Sequence, residues 1–287
     1  MIKKVLVVGA GTMGQGIAQW FCQQGIDVEL TDVNLASLDS AISQINSFWK
    51  KLCEKGKISA NEVLLYSQHL SKAKTTEIDP NVSLVIEAIV ENLKIKKEIF
   101  SDLDKIINED AIFASNTSSI SINSLCEDLK IRRKRNFLGL HFFNPVPMMK
   151  LVEIIQGKWT EPDLIESLKE WFEKNGKIAA LCQDSPGFIV NRIARNYYGE
   201  PLRIVKTFDR EKFREIDEIM KKVGGFKMGP FELVDLIGID VNLSATKTVY
   251  EDLGKNPRFA PHEIQEERVA SKKLGKKTGE GYYIYEK

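Results

Sequence analysis

The sequence predicts an α/β protein: a doubly wound, mainly parallel sheet of the Rossmann type covered by helices, followed by an all-helical C-terminal domain. Three observations carry this expectation. Residues 3–18 read KKVLVVGAGTMGQGIA, an apolar run that enters a glycine turn and then a helix-forming segment. Strand-like and helix-like segments alternate from Met1 to about Asp184, the pattern of a parallel sheet with helical crossovers. After Asp184-Ser185-Pro186-Gly187 the alternation stops and only helical periodicity continues. Domains are therefore expected at 1–186 and 187–287.

The first strand is expected at Lys4–Val8, ending in Gly9-Ala10-Gly11-Thr12-Met13-Gly14. In this strand–turn–helix setting GxGxxG has a mechanism. Gly9 permits the tight turn, Gly11 leaves no Cβ between backbone and a pyrophosphate, and Gly14 lets helix approach strand. The helix N-terminus, at Thr12 and Met13, offers amide donors to phosphate. A second strand, Ile26–Thr31, delivers Asp32, whose carboxylate can accept from both hydroxyls of an adenosine ribose and would repel a 2′-phosphate. The chain is thus expected to bind NAD rather than NADP.

Leu35–Lys57 reads as a long helix with Ile42, Ile45, Trp49 and Leu52 on one face and a basic end at Lys50, Lys51, Lys55 and Lys57. Such an end is either a solvated face or a grip on a phosphorylated substrate handle. Further strands are expected at Ser83–Ala88, Ala111–Ser115, Phe137–Phe142, Lys150–Ile155 and Lys177–Gln183, with helices through Ile95–Ile106 and Leu164–Trp171. In the C-terminal part, helices are expected at Phe188–Lys206, Glu211–Val223, Pro230–Ile237 and Val241–Leu253, with a kink where Gly199 and Pro201 interrupt the first.

Composition narrows the function classes. Over 287 residues the net charge is +1, so no global field recruits nucleic acid or an anionic membrane. Cys22, Cys53, Cys126 and Cys182 are widely spaced without a CxxC pair, and are expected as buried free thiols rather than disulfides or metal ligands. No apolar run reaches the length of a membrane span, and the N-terminus enters a strand without a signal-peptide pattern. These features suit a cytoplasmic protein.

A nicotinamide enzyme acting on an alcohol needs a group to accept the hydroxyl proton, and histidine suits that task at neutral pH. Of the three histidines, His69 lies in a polar stretch and His262 in a Pro-flanked loop. His141 ends an apolar strand, where ligands bind in an open α/β sheet; a buried histidine satisfied by backbone groups is the plainer alternative. Glu153, surrounded by apolar residues, needs a partner, either the imidazole or a cation at a sheet edge. Ser115–Ser119 places small hydrogen-bonding groups at the same rim. Asn191 lies one turn into the helix after Gly187, with Arg195 on its face.

The segments GAGTMGQGIA, EAIVENLKIK, ASNTSS, GLHFFNPVPMMKLVEII, DSPGFIVNR, MGPFELVDLIG and GKKTGEGYY follow in order. From end to end the chain resembles the short-chain L-3-hydroxyacyl-CoA dehydrogenases, often called 3-hydroxybutyryl-CoA dehydrogenases. The resemblance implies a Rossmann domain, a helical domain that makes a homodimer, and reversible NAD-linked oxidation of (S)-3-hydroxyacyl-CoA to 3-oxoacyl-CoA. It implies His141 as general base, Glu153 as its partner, and Ser118 and Asn191 as groups that position the substrate. It carries cofactor contacts to Asp32, Glu91, Lys96, Ser118, Asn144 and Lys277, and a CoA-phosphate contact to Lys55.

Some stretches depart from the family pattern. Asn196–Pro201 replaces a smoother helical run, and Phe259–Glu267 is more polar than a substrate-covering segment needs. RIARNYYGEPLR is similar to relatives acting on 3-hydroxyadipyl-CoA, which would place Arg195 near a distal carboxylate; the simpler expectation is a surface arginine. Two further alternatives are a dehydrogenase of a free hydroxy acid such as gulonate and a non-catalytic NAD-binding protein.

Overall fold

A computed structural model describes residues 2–286, which divide into two compact units that meet between Asp184 and Ser185 in the chain. The first unit holds eight strands: β1 (Lys4–Val8), β2 (Asp27–Thr31), β3 (Leu70–Lys72), β4 (Leu84–Glu87), β5 (Ile112–Ser115), β6 (Phe137–Phe142), β7 (Leu151–Gln156) and β8 (Ile178–Gln183). They form one sheet in the order β3-β2-β1-β4-β5-β6-β7-β8. All pairings are parallel except β6 with β7. The order reverses between β2–β1 and β1–β4, which opens a crevice at the carboxyl ends of those strands.

The strands are continuous apolar runs because both faces are covered. On one face Val5, Val7, Leu138, Leu140 and Phe142 pack with α1 (Thr12–Gln23), α2 (Leu35–Glu54) and α7 (Pro162–Lys174). Trp20 of α1 stacks on Phe172 of α7 at 5.7 Å. On the other face Phe137 meets Phe100 of α4 (Leu93–Asp104) edge to face at 4.7 Å. Arg133 of α6 (Ile131–Arg135) lies over Phe113 at 3.9 Å and ties Asp104 to three backbone carbonyls. Asp184, the last residue of this unit, caps α5 (Ile122–Cys126): it accepts from Ser121 Oγ and from the amides of Ile122 and Asn123.

Two elements of this unit go beyond the sequence expectation. Helix α3 (Ala60–Gln68) starts at a Ser59–Glu62 capping box, and β3 extends the sheet by three residues at its edge.

The second unit is helical: α8 (Val190–Val205), α9 (Arg210–Lys222), α10 (Pro230–Ile237), α11 (Ile239–Asp252) and α12 (Glu263–Ala270). Helix α8 runs unbroken through Pro201. Two buried carboxylates organise the unit. Asp217 accepts from the Phe231 and Glu232 amides at the start of α10 and from Tyr283 Oη. Asp235 accepts from the Tyr282 and Tyr283 amides and Tyr285 Oη, fastening the C-terminal segment. Helix α12 was not expected from the sequence; it starts at His262, whose Nδ1 accepts from the Ile264 amide.

Among the described residues no helix is long and apolar enough to cross a membrane, and no His/Cys/Asp/Glu group could hold a metal. All four cysteines are free thiols; Cys22 and Cys126 are buried, while Cys53 and Cys182 are partly exposed. Burial pushes the Cys22 thiol up to about 12 and that of Cys126 to about 11, so neither ionises at neutral pH.

Candidate active site

The crevice at the switch point is a cavity of about 920 Å³ lined by Gly9, Gly11, Thr12, Met13, Asp32, Ile95 and Ile99, among others. The three motif glycines divide their work as the spacing predicts. Gly9 takes φ +110° and a Cβ there would stand 2.6 Å from Ala88 O. A Cβ on Gly14 would sit 1.8 Å from Gly9 O. A Cβ on Gly11 would enter open space, which is where a pyrophosphate needs room beside the first amides of α1. Asp32 accepts from the Ala10 amide at 2.8 Å through one oxygen and from the Asn34 amide through the other. Its carboxylate is thereby fixed at the mouth of the glycine turn. These residues fit a dinucleotide.

His141 and Glu153 are direct partners across the antiparallel β6–β7 pair. Nδ1 of His141 lies 2.6 Å from Oε2 of Glu153, with both residues buried. The register does this: side chains of opposed residues share one face, so an apolar strand bearing a single His meets one bearing a single Glu. Gly139, two residues before His141, admits Ile122 and Ile155; a Cβ there would lie 2.8 Å from Ile155 Cδ1 and 2.9 Å from Ile122 Cδ1. Asn116, after β5, accepts from the Phe142 amide at 2.9 Å and so ties the end of β6 to the Ser115–Ser119 loop.

That loop is organised by Glu91. Its Oε1 accepts from Thr117 Oγ1, the Ser118 amide and Ser119 Oγ. Burial opposes the charge on Glu91, but Lys96 together with these donors holds its carboxyl below the usual range. Lys96 is buried, with Nζ 2.6 Å from Glu87 and 3.1 Å from Glu91. Glu87, at the end of β4, also accepts from Ser115 Oγ and the Ile89 amide. Sequence reasoning missed Glu87, although a carboxylate closing the apolar run Leu84–Ile86 was a visible signal that a cation had to be near.

The remaining candidates fall on several elements. Ser118 and Asn144 are exposed at the strand ends, and Asn144 precedes a cis proline. Lys177, just before β8 and not a sequence candidate, donates to the carbonyls of Val146 and Met149 at 2.6 and 2.7 Å and so pins the loop after His141. Lys55 is exposed at the C-cap of α2, with Lys50, Lys51 and Lys57 exposed nearby. In the second unit, Lys277 is bidentate on Asp240 at 2.6 and 2.7 Å. Asn191 lies in the first turn of α8, and its carbonyl accepts from Arg195 Nε. The expectation of a surface arginine at 195 is wrong: Arg195 is 5% exposed, because carbonyl and hydroxyl acceptors on α11 draw its guanidinium inward.

Residues 4–185 match the family model "3-hydroxyacyl-CoA dehydrogenase, NAD binding domain", and residues 187–285 match its C-terminal domain. The chain belongs to the 3-hydroxyacyl-CoA dehydrogenase family. It is 42% identical to the mitochondrial hydroxyacyl-coenzyme A dehydrogenase of Rattus norvegicus, over 99% of this chain and 92% of the relative. It is 38% identical to the 3-hydroxyadipyl-CoA dehydrogenase of Escherichia coli, over 98% of this chain and 59% of that longer protein. Among solved structures, the (S)-3-hydroxybutyryl-CoA dehydrogenase of Ralstonia eutropha superposes with a TM-score of 0.92 at 34% identity, covering 100% of both chains. The cofactor of this 3-hydroxyacyl-CoA dehydrogenase is NAD, and the matched NAD-binding domain, residues 4–185, includes the cavity beside Gly11 and Asp32.

Proposed function

We propose that the protein interconverts (S)-3-hydroxyacyl-CoA and 3-oxoacyl-CoA, 3-hydroxybutyryl-CoA being the simplest such substrate, with His141 as its acid–base group. One observation carries the reading: the only histidine at a strand's carboxyl end is held through Nδ1 by a buried carboxylate. His141 Nδ1–H donates to the Glu153 carboxylate, so the neutral ring keeps its lone pair on Nε2. Nε2 accepts the proton of the 3-hydroxyl during oxidation, and Glu153 stabilises the imidazolium that forms. In the reverse direction the same imidazolium protonates the forming alkoxide.

NAD, when bound, supplies the hydride acceptor. Gly9, Gly11, Thr12, Met13, Gly14 and Asp32 would hold it, assisted by Glu91, Asn144 and Lys277. Lys96 acts in this reading by fixing Glu91, since its ammonium is already bonded to two carboxylates. Ser118 and Asn191 orient the substrate oxygens, a positioning role whose loss costs rate more than affinity.

The basic end of α2 suits the phosphates of CoA. Lys50, Lys51, Lys55 and Lys57 are exposed and none has an ion-pair partner among the described residues. Ile193, Ile204, Val223 and Leu236 leave large apolar surface exposed on the helical unit, which supports a homodimer formed through residues 187–287. Free thiols suit a reducing compartment such as the cytoplasm.

The test is reduction of acetoacetyl-CoA by NADH with wild type and His141→Gln. Loss of turnover by about a hundredfold or more, with NADH binding retained, is expected. Near-normal turnover in that variant would remove His141 from the role.

A further inference from the structure

Glu87, Lys96 and Glu91 form a charged triad at the carboxyl end of β4. Lys96 Nζ lies 2.6 Å from Glu87 Oε1 and 3.1 Å from Glu91 Oε2, and no other cation among the described residues pairs with either carboxylate. Two carboxylates against one ammonium leave one negative charge over. Glu87 and Lys96 are 0% and 1% exposed. Glu87 also accepts from the Ile89 amide at 2.7 Å and from Ser115 Oγ at 2.6 Å, so every group bonded to it is a donor. Glu87 alone would balance the buried ammonium. Glu91 makes the charge surplus, and a surplus charge next to buried groups is costly unless something of opposite sign comes to it.

Ala88, Ile89 and Val90, the residues between Glu87 and Glu91, line the cofactor cavity. The strand order says which half of a dinucleotide passes them. With the adenosine ribose on Asp32 after β2 and the pyrophosphate at the start of α1 after β1, the other half crosses the switch point toward β4 and β5. Glu87 ends β4 and Ser115 ends β5. That half carries the nicotinamide, a cation in oxidised NAD+ and neutral in NADH. The ring is where the two forms differ in charge.

We propose that the Glu87–Lys96–Glu91 triad discriminates between the redox forms of the cofactor, its surplus negative charge favouring the cationic ring of NAD+ over the neutral ring of NADH. The proposal rests on the reading that Asp32 holds the adenosine ribose. Glu87 is a positioning residue here: it holds Lys96 against Glu91 and contributes charge from beneath the cavity wall. Charges in such a partly buried setting are screened far less than surface charges.

The test measures dissociation constants of NAD+, NADH and ADP-ribose by calorimetry for wild type, Glu87→Gln and Glu91→Gln. ADP-ribose has the adenosine, both phosphates and the second ribose but no nicotinamide, so it reports on the integrity of the cavity. Either substitution makes the triad neutral, and the ratio of the NAD+ to the NADH dissociation constant should rise about fivefold or more. ADP-ribose affinity should stay within about twofold, because that ligand lacks the ring the charge acts on. A purely structural role would weaken all three ligands together and leave the ratio where it is. An unchanged or falling ratio in either folded variant overturns the proposal. Where Glu87→Gln does not fold, Glu91→Gln, on the exposed side of the triad, decides alone. ADP-ribose affinity left untouched by Asp32→Ala would overturn the cofactor's orientation, and this proposal with it.

Discussion

His141 and Glu153 oppose each other in the one antiparallel pairing of the sheet, with Nδ1 2.6 Å from Oε2. The other six pairings of the sheet are parallel; it is the reversal between β6 and β7 that sets an imidazole and a carboxylate side by side. Glu153→Gln keeps the shape but replaces a carboxylate with an amide that cannot stabilise the imidazolium. Turnover should fall by about 10²–10⁴-fold while the Tm shifts by only a few degrees. Stopped-flow rates and thermal melts on one sample check this; a lowered Tm with normal kinetics would reduce Glu153 to a structural role.

Asp32 has one oxygen on the Ala10 amide and the other on the Asn34 amide. Asp32→Ala should raise the NADH dissociation constant by about tenfold or more and narrow the preference over NADPH. Titration of protein fluorescence with both nucleotides measures both effects.

Arg133 is almost fully buried, pairing with Asp104 and donating to the carbonyls of Ala111, Ile107 and Asn108. Arg133→Met leaves the Asp104 carboxylate without its cation and removes one donor from each of three carbonyls, and should cost about 3–5 kcal/mol of stability. Denaturant unfolding measures the loss, and kcat of the folded fraction should be unchanged.

Burial pushes the Lys177 ammonium down to about 8. Between that pH and the ordinary lysine range the unfolded chain binds more protons than the folded one, so this side chain's contribution to stability rises with pH. The Tm of wild type minus that of Lys177→Met should therefore grow from pH 7.5 to 9.5. A flat or falling difference would contradict the assignment.

The N-terminal architecture was legible because its signals are local. The strand, glycine turn, helix and Asp32 stand within thirty-odd residues, and Gly9 and Gly14 meet steric demands that the spacing alone anticipates, while Gly11 leaves open space. Helix α3 went unread although its Ser59-x-x-Glu62 box is a visible signal, because its lack of buried residues leaves no apolar stripe to notice. Strand β3, with two of three residues exposed, carries no alternation. Helix α12 is rich in Glu and weakly patterned, so Phe259–Glu267 read only as polar chain. Arg195 was misjudged for a different reason: its acceptors, Asn242 and Thr246, lie some fifty residues downstream, and nothing on α8 advertises them. The His141–Glu153 contact was readable as a need for a partner; only the reversed pairing identified which one.

The cap that Asp184 places on α5 has a practical corollary for dissecting the protein. A recombinant piece stopping at Gln183 would release three donors at the start of that helix into water. One residue more, and the excised sheet would carry its own closure. The border between the two halves is therefore better drawn by a side chain than by the glycine and proline that follow it.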